Sequence, residues 1–123
     1  MSTDKPHIRL NLWLEKDGSV VFGQGRVQLL KKISELGSLK KAAEELGMSY
    51  RGAWGKIKAT EAVLDDPLIE KVSNREGYRL TPLGESMLTQ YEEWHRQVEA
   101  AAAEKAKEIF PFHILSSLDD ESS

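Results

Sequence analysis

The sequence predicts a mainly α-helical protein with a small amount of β-structure. Apolar residues with helical spacing run through residues 25–64 in three stretches, and a fourth, longer stretch begins after residue 81. Two short regions instead show strand patterning around turn residues, one before residue 24 and one at residues 68–81. Helices therefore dominate, with one β-hairpin before them and another between the third and the fourth.

The composition bounds the kind of protein. With 123 residues, of which 40% are hydrophobic and 30% charged, the chain has the size of one globular domain with extensions. No apolar run approaches the roughly 20 residues that span a bilayer. The N-terminus also lacks the apolar core of a signal peptide. We therefore expect a cytoplasmic protein that does not contact membranes.

Several kinds of chemistry are excluded by residue type. The chain has no cysteine, and its three histidines, His7, His95 and His113, lie too far apart for metal-ligand spacing. Serine, histidine and acidic residues form no recognised nucleophile motif, so we expect no enzyme, no metal and no cofactor. The net charge is −3, but basic residues outnumber acidic ones in residues 38–60, while acidic residues dominate after residue 81. This polarity suits a protein with one face for an anion.

The N-terminal region predicts a β-hairpin. Apolar and polar residues alternate from Ile8 to Leu14, which is the pattern of a half-buried strand. The turn residues Lys16, Asp17, Gly18 and Ser19 then precede a second apolar run. The first strand is therefore expected at residues 8–14.

The next segments predict a helix-turn-helix. A helical stripe covers residues 25–36 and is stopped by Gly37, after which Ser38 caps a short helix. Gly47 supplies a left-handed exit from that helix, and Ser49 caps the following one almost at once. Two helices joined by so tight a turn are typical of a helix-turn-helix.

The third helix, at residues 50–64, is predicted to have a core side and an outward side. At 100° per residue the core side holds the apolar residues Ala53, Ile57 and Leu64. The opposite side holds two cations and a glycine, with two aromatic residues at its flank: Arg51, Lys58, Gly55, Tyr50 and Trp54. This is the surface that an incoming partner meets first.

Two glycines weaken this helix by roughly 1 kcal/mol each relative to alanine. We interpret Gly55 as allowing the helix backbone to lie deep in a DNA major groove, while Arg51 and Lys58 reach phosphates or base edges. Gly52 is interpreted as allowing close packing against a neighbouring helix. The alternative is that tertiary packing simply tolerates both glycines.

The hairpin at residues 68–81 is predicted to form a wing beside this helix. Its turn falls at residues 74–77, with Arg75 at the tip and Arg79 on the second strand. Both arginines are placed to contact the DNA backbone or the minor groove. The alternative is a solvated hairpin whose arginines pair with nearby acidic residues.

These motifs carry a resemblance to a known family. The segments SLKKAAEELGMSYRGAWGKIKATE and LIEKVSNREGYRLTPLGESML resemble the winged helix-turn-helix of LysR-type regulators and, more closely, the DNA-binding domain of ModE-type molybdate-responsive regulators. The likeness rests on G-x-S-Y-x-x-A-W at residues 47–54, on the preceding hairpin and on L-T-x-x-G at residues 80–84. It implies binding to double-stranded DNA. The candidate DNA-binding residues are Ser49, Tyr50, Arg51, Trp54, Gly55, Lys58, Arg75 and Arg79.

The sequence departs from that family in two ways. The wing turn NREG is shorter than the glycine-rich wing common there. Only PFHILSSLDDESS follows the last helix, where full-length ModE proteins continue into molybdate-binding domains. We therefore expect no molybdate binding by this chain.

The last helix is predicted to mediate dimerisation. Thr81 caps it, Pro82 occupies its first position, and it continues to about residue 110. A heptad-like stripe runs along it: Met87, Tyr91, Trp94, Val98 and Ala101. We expect a homodimer, because helix-turn-helix proteins usually read two half-sites. The alternative is that this stripe packs on its own domain.

The predicted organisation has three parts. Residues 1–81 form the winged helix-turn-helix with its hairpin, residues 82–110 the dimerisation helix, and residues 111–123 a flexible acidic tail. The predicted function is sequence-specific DNA binding by a dimeric transcriptional regulator. The alternative is a winged-helix module that binds another protein, which Tyr50 and Trp54 favour.

Overall fold

A computed structural model describes residues 5–72 and 77–114, and it confirms a mainly α-helical fold with little β-structure. Its elements in chain order are β1 (Trp13–Lys16), β2 (Ser19–Gly23), α1 (Gln24–Leu36), α2 (Leu39–Glu45), α3 (Tyr50–Leu64), β3 (Ile69–Lys71), β4 (Tyr78–Leu80) and α4 (Pro82–Ile109). The predicted wing tip with Arg75 and the predicted flexible tail beyond residue 114 lie outside the described residues.

The first strand is shorter than the sequence pattern predicts. It begins at Trp13, whose partner across the hairpin is Gly23 at the end of β2. Because α1 begins at the next residue, β2 offers no further backbone to pair with residues 8–12. The carbonyl of Leu12 instead accepts a hydrogen bond of 2.8 Å from the Tyr91 hydroxyl. The prediction of a strand from Ile8 was therefore wrong, although the hairpin itself is confirmed.

The helix-turn-helix has the predicted boundaries. The Ser38 hydroxyl accepts a hydrogen bond from the Lys41 amide at the start of α2, as an N-cap does. Gly37 and Gly47 adopt the left-handed conformation, with φ of 67° and 72°. The three helices bury a common apolar core, whose fully buried side chains include Leu29, Leu30, Ile33, Leu39, Ala42, Ala53 and Ile57.

A buried hydroxyl joins the hairpin to two helices. Thr60 lies on the core side of α3 and is fully buried. Its hydroxyl donates to the Val21 carbonyl in β2 and accepts a 3.1 Å hydrogen bond from the Arg26 Nε in α1. Since an unpaired hydroxyl in the core costs stability, these partners explain how a polar residue is accommodated there.

The wing is attached at its base to the helix-turn-helix. Strands β3 and β4 pair antiparallel. The Tyr78 amide donates to the Gly37 carbonyl at 3.0 Å, and Gly77 forms a β-bridge with Ser38. The second wing strand therefore hydrogen-bonds to the turn between α1 and α2.

The start of α4 packs closely on the chain that enters the wing. Thr81 caps α4 by accepting from the Gly84 amide at 3.1 Å, while its hydroxyl donates to the Pro67 carbonyl at 2.7 Å. A Cβ at position 84 would lie only 2.2 Å from the Leu68 carbonyl oxygen. Glycine is therefore required at this close approach, which gives the L-T-x-x-G motif a structural reason.

The described residues divide into two compact units, one within residues 12–91 and one made of residues 5–11 and 92–114. Within the first, Tyr91 is only 6% exposed and its ring packs edge-on against Phe22. Met87 is half-buried and packs on the same core. Both residues thus pack on their own domain, which is the alternative that the sequence left open, and their part in a dimer contact stays a prediction.

The later residues of the predicted stripe lie in the second unit. The Trp94 side chain is 38% exposed, Val98 is half-buried and Ala101 is exposed. In the same unit, the His95 Nε2 lies 3.2 Å from the Leu10 carbonyl. The part of the predicted stripe that lies in this unit therefore begins at Trp94, and its role in a dimer stays a prediction.

Candidate nucleic-acid interface

Helix α3 begins at a serine cap that fixes its first turn. The Ser49 hydroxyl accepts a 3.0 Å hydrogen bond from the Gly52 amide. A Cβ at position 52 would lie 3.0 Å from that hydroxyl, and it meets no other heavy atom within 4 Å in the described residues. The prediction that Gly52 allows packing against a neighbouring helix was wrong. Its close neighbour is the cap of its own helix.

The outward face of α3 is open and bordered by cations. Arg51 and Gly55 are exposed, and Tyr50 is 48% exposed at the start of the helix. A Cβ at position 55 would have no heavy atom within 4 Å among the described residues. No packing requirement for glycine therefore exists there.

The outward face of α3 extends beyond Lys58, the last residue predicted on it. Two further exposed residues, Ala59 and Ala62, follow Gly55 at helical spacing on the same side. Their small side chains continue a smooth surface for two more turns. The spacing from Gly55 was sufficient to identify them.

The flank of α3 holds Lys58 in a defined position. Its Nζ lies 4.4 Å from the ring centroid of Trp54 and 3.0 Å from a carboxylate oxygen of Glu61. Trp54 is itself half-buried and packs against Tyr78 in the wing, with ring centroids 6.2 Å apart. Trp54 therefore links α3 to the wing, and part of its surface is not available to a ligand.

Glu61 was missed by the sequence reasoning. Its residue surface is only 9% exposed, and its second carboxylate oxygen accepts from the Leu68 amide at 2.7 Å. The i, i+3 spacing from Lys58 is a signal that could have found the ion pair. The bond to Leu68 depends on how the chain returns after α3, and no local pattern reports it.

Of the two wing arginines, Arg79 lies within the described residues and Arg75 does not. The Arg79 Nε donates to a Glu70 carboxylate oxygen at 2.9 Å, and the two side chains are 66% and 43% exposed. This pairing is the alternative that the sequence left open for Arg79. Arg75 falls outside the described residues.

A basic groove lies beside the wing base. It is lined by Gly77 and by residues from the end of α1, the following turn and α2: Leu36, Gly37, Ser38, Lys40, Lys41 and Glu44. Lys40 and Lys41 are exposed. These cations add to the positive charge around the helix-turn-helix, and the predicted DNA-binding residues did not include them.

Other kinds of site find no support in the described part of the chain. Residues 5–72 and 77–114 contain no cluster of three or more side chains able to hold a metal ion. Within the same residues, no helix combines the length and apolar character needed to cross a bilayer.

Comparison with protein families matches residues 25–85 to the bacterial regulatory helix-turn-helix proteins of the lysR family. Among curated relatives, the molybdenum-pterin-binding protein MopB of Rhodobacter capsulatus is 32% identical over 114 residues, which cover 85% of this chain and 40% of MopB. The transcriptional regulator ModE of Haemophilus influenzae is 35% identical over 93 residues, which cover 73% of this chain and 32% of ModE. The chain thus spans well under half the length of these relatives.

Solved structures show the same fold. The CbnR DNA-binding domain in complex with DNA matches with a TM-score of 0.55 at 20% identity, over 70% of this chain and 97% of that one. The BenM DNA-binding domain bound to the benA site 1 DNA matches with a TM-score of 0.52 at 19% identity, over 68% of this chain and 94% of that one. At such identities the likeness establishes the fold alone.

Proposed function

We propose that this chain is a transcriptional regulator, because residues 25–85 match the helix-turn-helix domain of the lysR family of bacterial regulatory proteins. The domain belongs to a family of regulators and not to an enzyme family. The chain binds double-stranded DNA in a sequence-specific manner and acts as a transcriptional regulator. The name of its ModE relative, a transcriptional regulator, supports this assignment.

The outward face of α3 is the observation that carries the proposal. Arg51 and Gly55 are exposed on a helix whose opposite side, with Ala53 and Ile57, is fully buried. A recognition helix must place its outer side in the major groove, where an arginine can donate two hydrogen bonds to a guanine edge. Gly55 leaves the backbone uncovered at the centre of that side, so the helix can approach the bases closely.

Assembly into a homodimer forms the second part of the proposal. Trp94 is 38% exposed on α4, and Val98 and Ala101 follow it at spacings of four and three residues. A partner helix that packs on these residues buries the indole and carries a second recognition helix. Two-fold symmetry would then place the half-sites about 34 Å apart, one turn of B-DNA.

The molybdenum in the name of the MopB relative is not carried over to this chain. MopB and ModE are matched over 40% or less of their length, and the family match lies on the helix-turn-helix. We propose that the 123-residue chain does not bind molybdate. Addition of molybdate should then leave its melting temperature unchanged, because a ligand stabilises a protein only by binding its native state.

Selection of duplexes from a random DNA pool tests the function. The purified chain should enrich one related set of sequences with two half-sites spaced by one helical turn. The alternative, a winged-helix module that binds another protein, is favoured by Tyr50, which is 48% exposed on the same face. A pool that stays random through repeated selection at low salt would exclude sequence-specific DNA binding and favour that alternative.

A further inference from the structure

A single buried carboxylate connects the recognition helix to the wing. Glu61 lies on α3, and its Oε2 accepts from the Leu68 amide, one residue before β3, at 2.7 Å. Its Oε1 lies 3.0 Å from the Lys58 Nζ. Glu61 is 9% exposed, whereas the Lys58 side chain is 50% exposed. The carboxylate is therefore fixed from the protein side and presents one oxygen to a cation at the surface.

Lys58 is held by two contacts rather than one. Its ammonium group lies 4.4 Å from the Trp54 ring centroid, within the range of a cation–π interaction. Trp54 in turn packs on Tyr78 in β4. A free lysine side chain samples many rotamers, and holding it in one conformation costs entropy. Here the ion pair and the ring contact meet that cost before any ligand arrives.

Lys58 lies on the wing side of the outward face of α3. On the helical wheel Gly55 marks the middle of the outward face, and Lys58 lies at its flank, on the side of Trp54 and Glu61. Both of those residues contact the wing or the chain that enters it. The Lys58 ammonium therefore lies at the seam between α3 and the wing.

Resting on the proposed function, we infer that Glu61 is a positioning residue that holds Lys58 over Trp54 as a preformed phosphate contact at this seam. A duplex with α3 in its major groove presents a phosphate backbone at the border of that groove, where the wing begins. An ammonium group has three donors, and the bond to Glu61 uses one of them. The remaining donors are available to a phosphate oxygen.

The Lys58–Glu61 pair positions a cation but adds little long-range attraction to DNA. The negative charge of Glu61 offsets that of Lys58, so the pair adds little to the attraction that all DNA sequences share. What the pair contributes is a cation at a fixed place, which sets the register of the protein on the duplex. Removing the charge of Glu61 should therefore have two opposite effects on DNA affinity. It should strengthen the salt-dependent attraction to DNA, and it should weaken the contact between Lys58 and the phosphate.

A measurement without DNA tests the positioning itself. Glu61→Gln keeps an oxygen acceptor for the Leu68 amide but removes the charge that holds Lys58. In the wild type, NMR signals of the Lys58 side-chain protons next to the ammonium group should be shifted upfield by the Trp54 ring. In the variant they should move toward the values of the exposed Lys56, the internal control on the same helix. Signals that stay shifted in the variant would overturn the inference.

A cycle of variants tests the consequence for DNA binding, with a duplex that the wild type selects from a random pool. At about 0.3 M salt, where added charge is strongly screened, Glu61→Gln should weaken binding about two- to ten-fold, the cost of ordering one flexible side chain. In a Lys58→Met background the same change should cause no further loss. In the matched Lys56→Met background it should cause the full loss.

The outcomes separate the possible roles of Glu61. Tighter binding of Glu61→Gln at this salt concentration would show a simple countercharge and overturn the positioning role. An equal loss in the Lys58→Met background would show a structural effect that does not act through Lys58, with the same consequence. If the wild type selects no duplex, the proposed function fails, while the NMR comparison still decides whether Glu61 positions Lys58.

Discussion

Replacing Gly55 with alanine or leucine separates the two explanations for a glycine in the middle of α3. If the glycine serves an approaching DNA duplex, a side chain at this position should improve the folded protein and harm binding. If tertiary packing merely tolerates the glycine, a side chain should improve stability and leave binding unchanged. The two explanations therefore predict different results for the same variants in the binding assay.

The expected stability change follows from the open space around this residue. A Cβ at position 55 meets no heavy atom within 4 Å in the described parts of the chain, so no clash offsets the gain. Gly55→Ala should then recover the difference in helix propensity, about 1 kcal/mol. For a domain of this size that corresponds to a rise in melting temperature of about 3–5 °C. Gly55→Leu should gain nearly as much, because leucine is also a good helix former.

The binding change is expected to depend on side-chain size. Gly55→Leu should strongly reduce affinity for the selected duplex, because the added side chain occupies the centre of the face that enters the groove. Gly55→Ala should reduce affinity less. Gly25 provides a matched control, since it lies in α1 and a Cβ there also meets no heavy atom within 4 Å in the described residues. Gly25→Leu should leave DNA binding unchanged.

Thermal unfolding followed by circular dichroism, together with mobility-shift titration at fixed salt, measures both effects. A Gly55→Leu protein that is more stable and binds with wild-type affinity would refute the reasoning. A Gly55→Leu protein that is less stable would contradict the statement that the space around this residue is open.

Three other substitutions test separate parts of the structure. Arg51→Ala should weaken specific DNA binding by about 1–3 kcal/mol without changing the melting temperature; equal affinity in a salt-controlled titration would remove Arg51 from the interface. Trp94→Glu combined with Val98→Glu should dissociate the dimer in sedimentation experiments, because unpaired buried charges are strongly unfavourable; a wild type that sediments as a monomer would contradict the proposed dimer. Gly84→Ala should lower the free energy of unfolding by about 1–3 kcal/mol through overpacking against the Leu68 carbonyl; an unchanged urea midpoint would contradict that contact.

The helix boundaries could be predicted because their signals are local. Ser38, Ser49 and Thr81 each accept a hydrogen bond from an amide three residues later. Gly37 and Gly47 each end a helix in a conformation that few other residues adopt. Such signals lie within a few residues of the boundary that they set, so one sequence contains them in full.

The features that were harder to predict involve residues whose partners are distant in sequence. The strand pattern of residues 8–12 is real, but β2 ends too early to pair with them. Tyr91 fits a heptad stripe, yet it packs on Phe22 and bonds to Leu12, 79 residues away in sequence. Periodicity identifies an apolar or alternating surface, and it does not identify which neighbour covers that surface.

The same limit applies to the candidate interface. The exposed positions of Arg51 and Gly55 follow from helical periodicity, since the buried side of α3 is apolar. The position of Lys58 does not, because it depends on Glu61, and Glu61 depends on where the chain returns at Leu68. A charge at a predicted surface can therefore be anticipated, while its orientation requires the tertiary structure.

The hydroxyl of Thr60 has a consequence for how the domain opens. It bonds to Val21 and to Arg26, which lie 39 and 34 residues earlier in the chain. A two-stranded hairpin usually frays independently, since it buries little surface of its own. Here, separating β2 from α3 breaks the bond between the Thr60 hydroxyl and the buried Val21 carbonyl, which adds a cost to opening the hairpin alone. Native-state hydrogen exchange should consequently show the amides of β2 opening together with those of α1 and α3, as one cooperative unit.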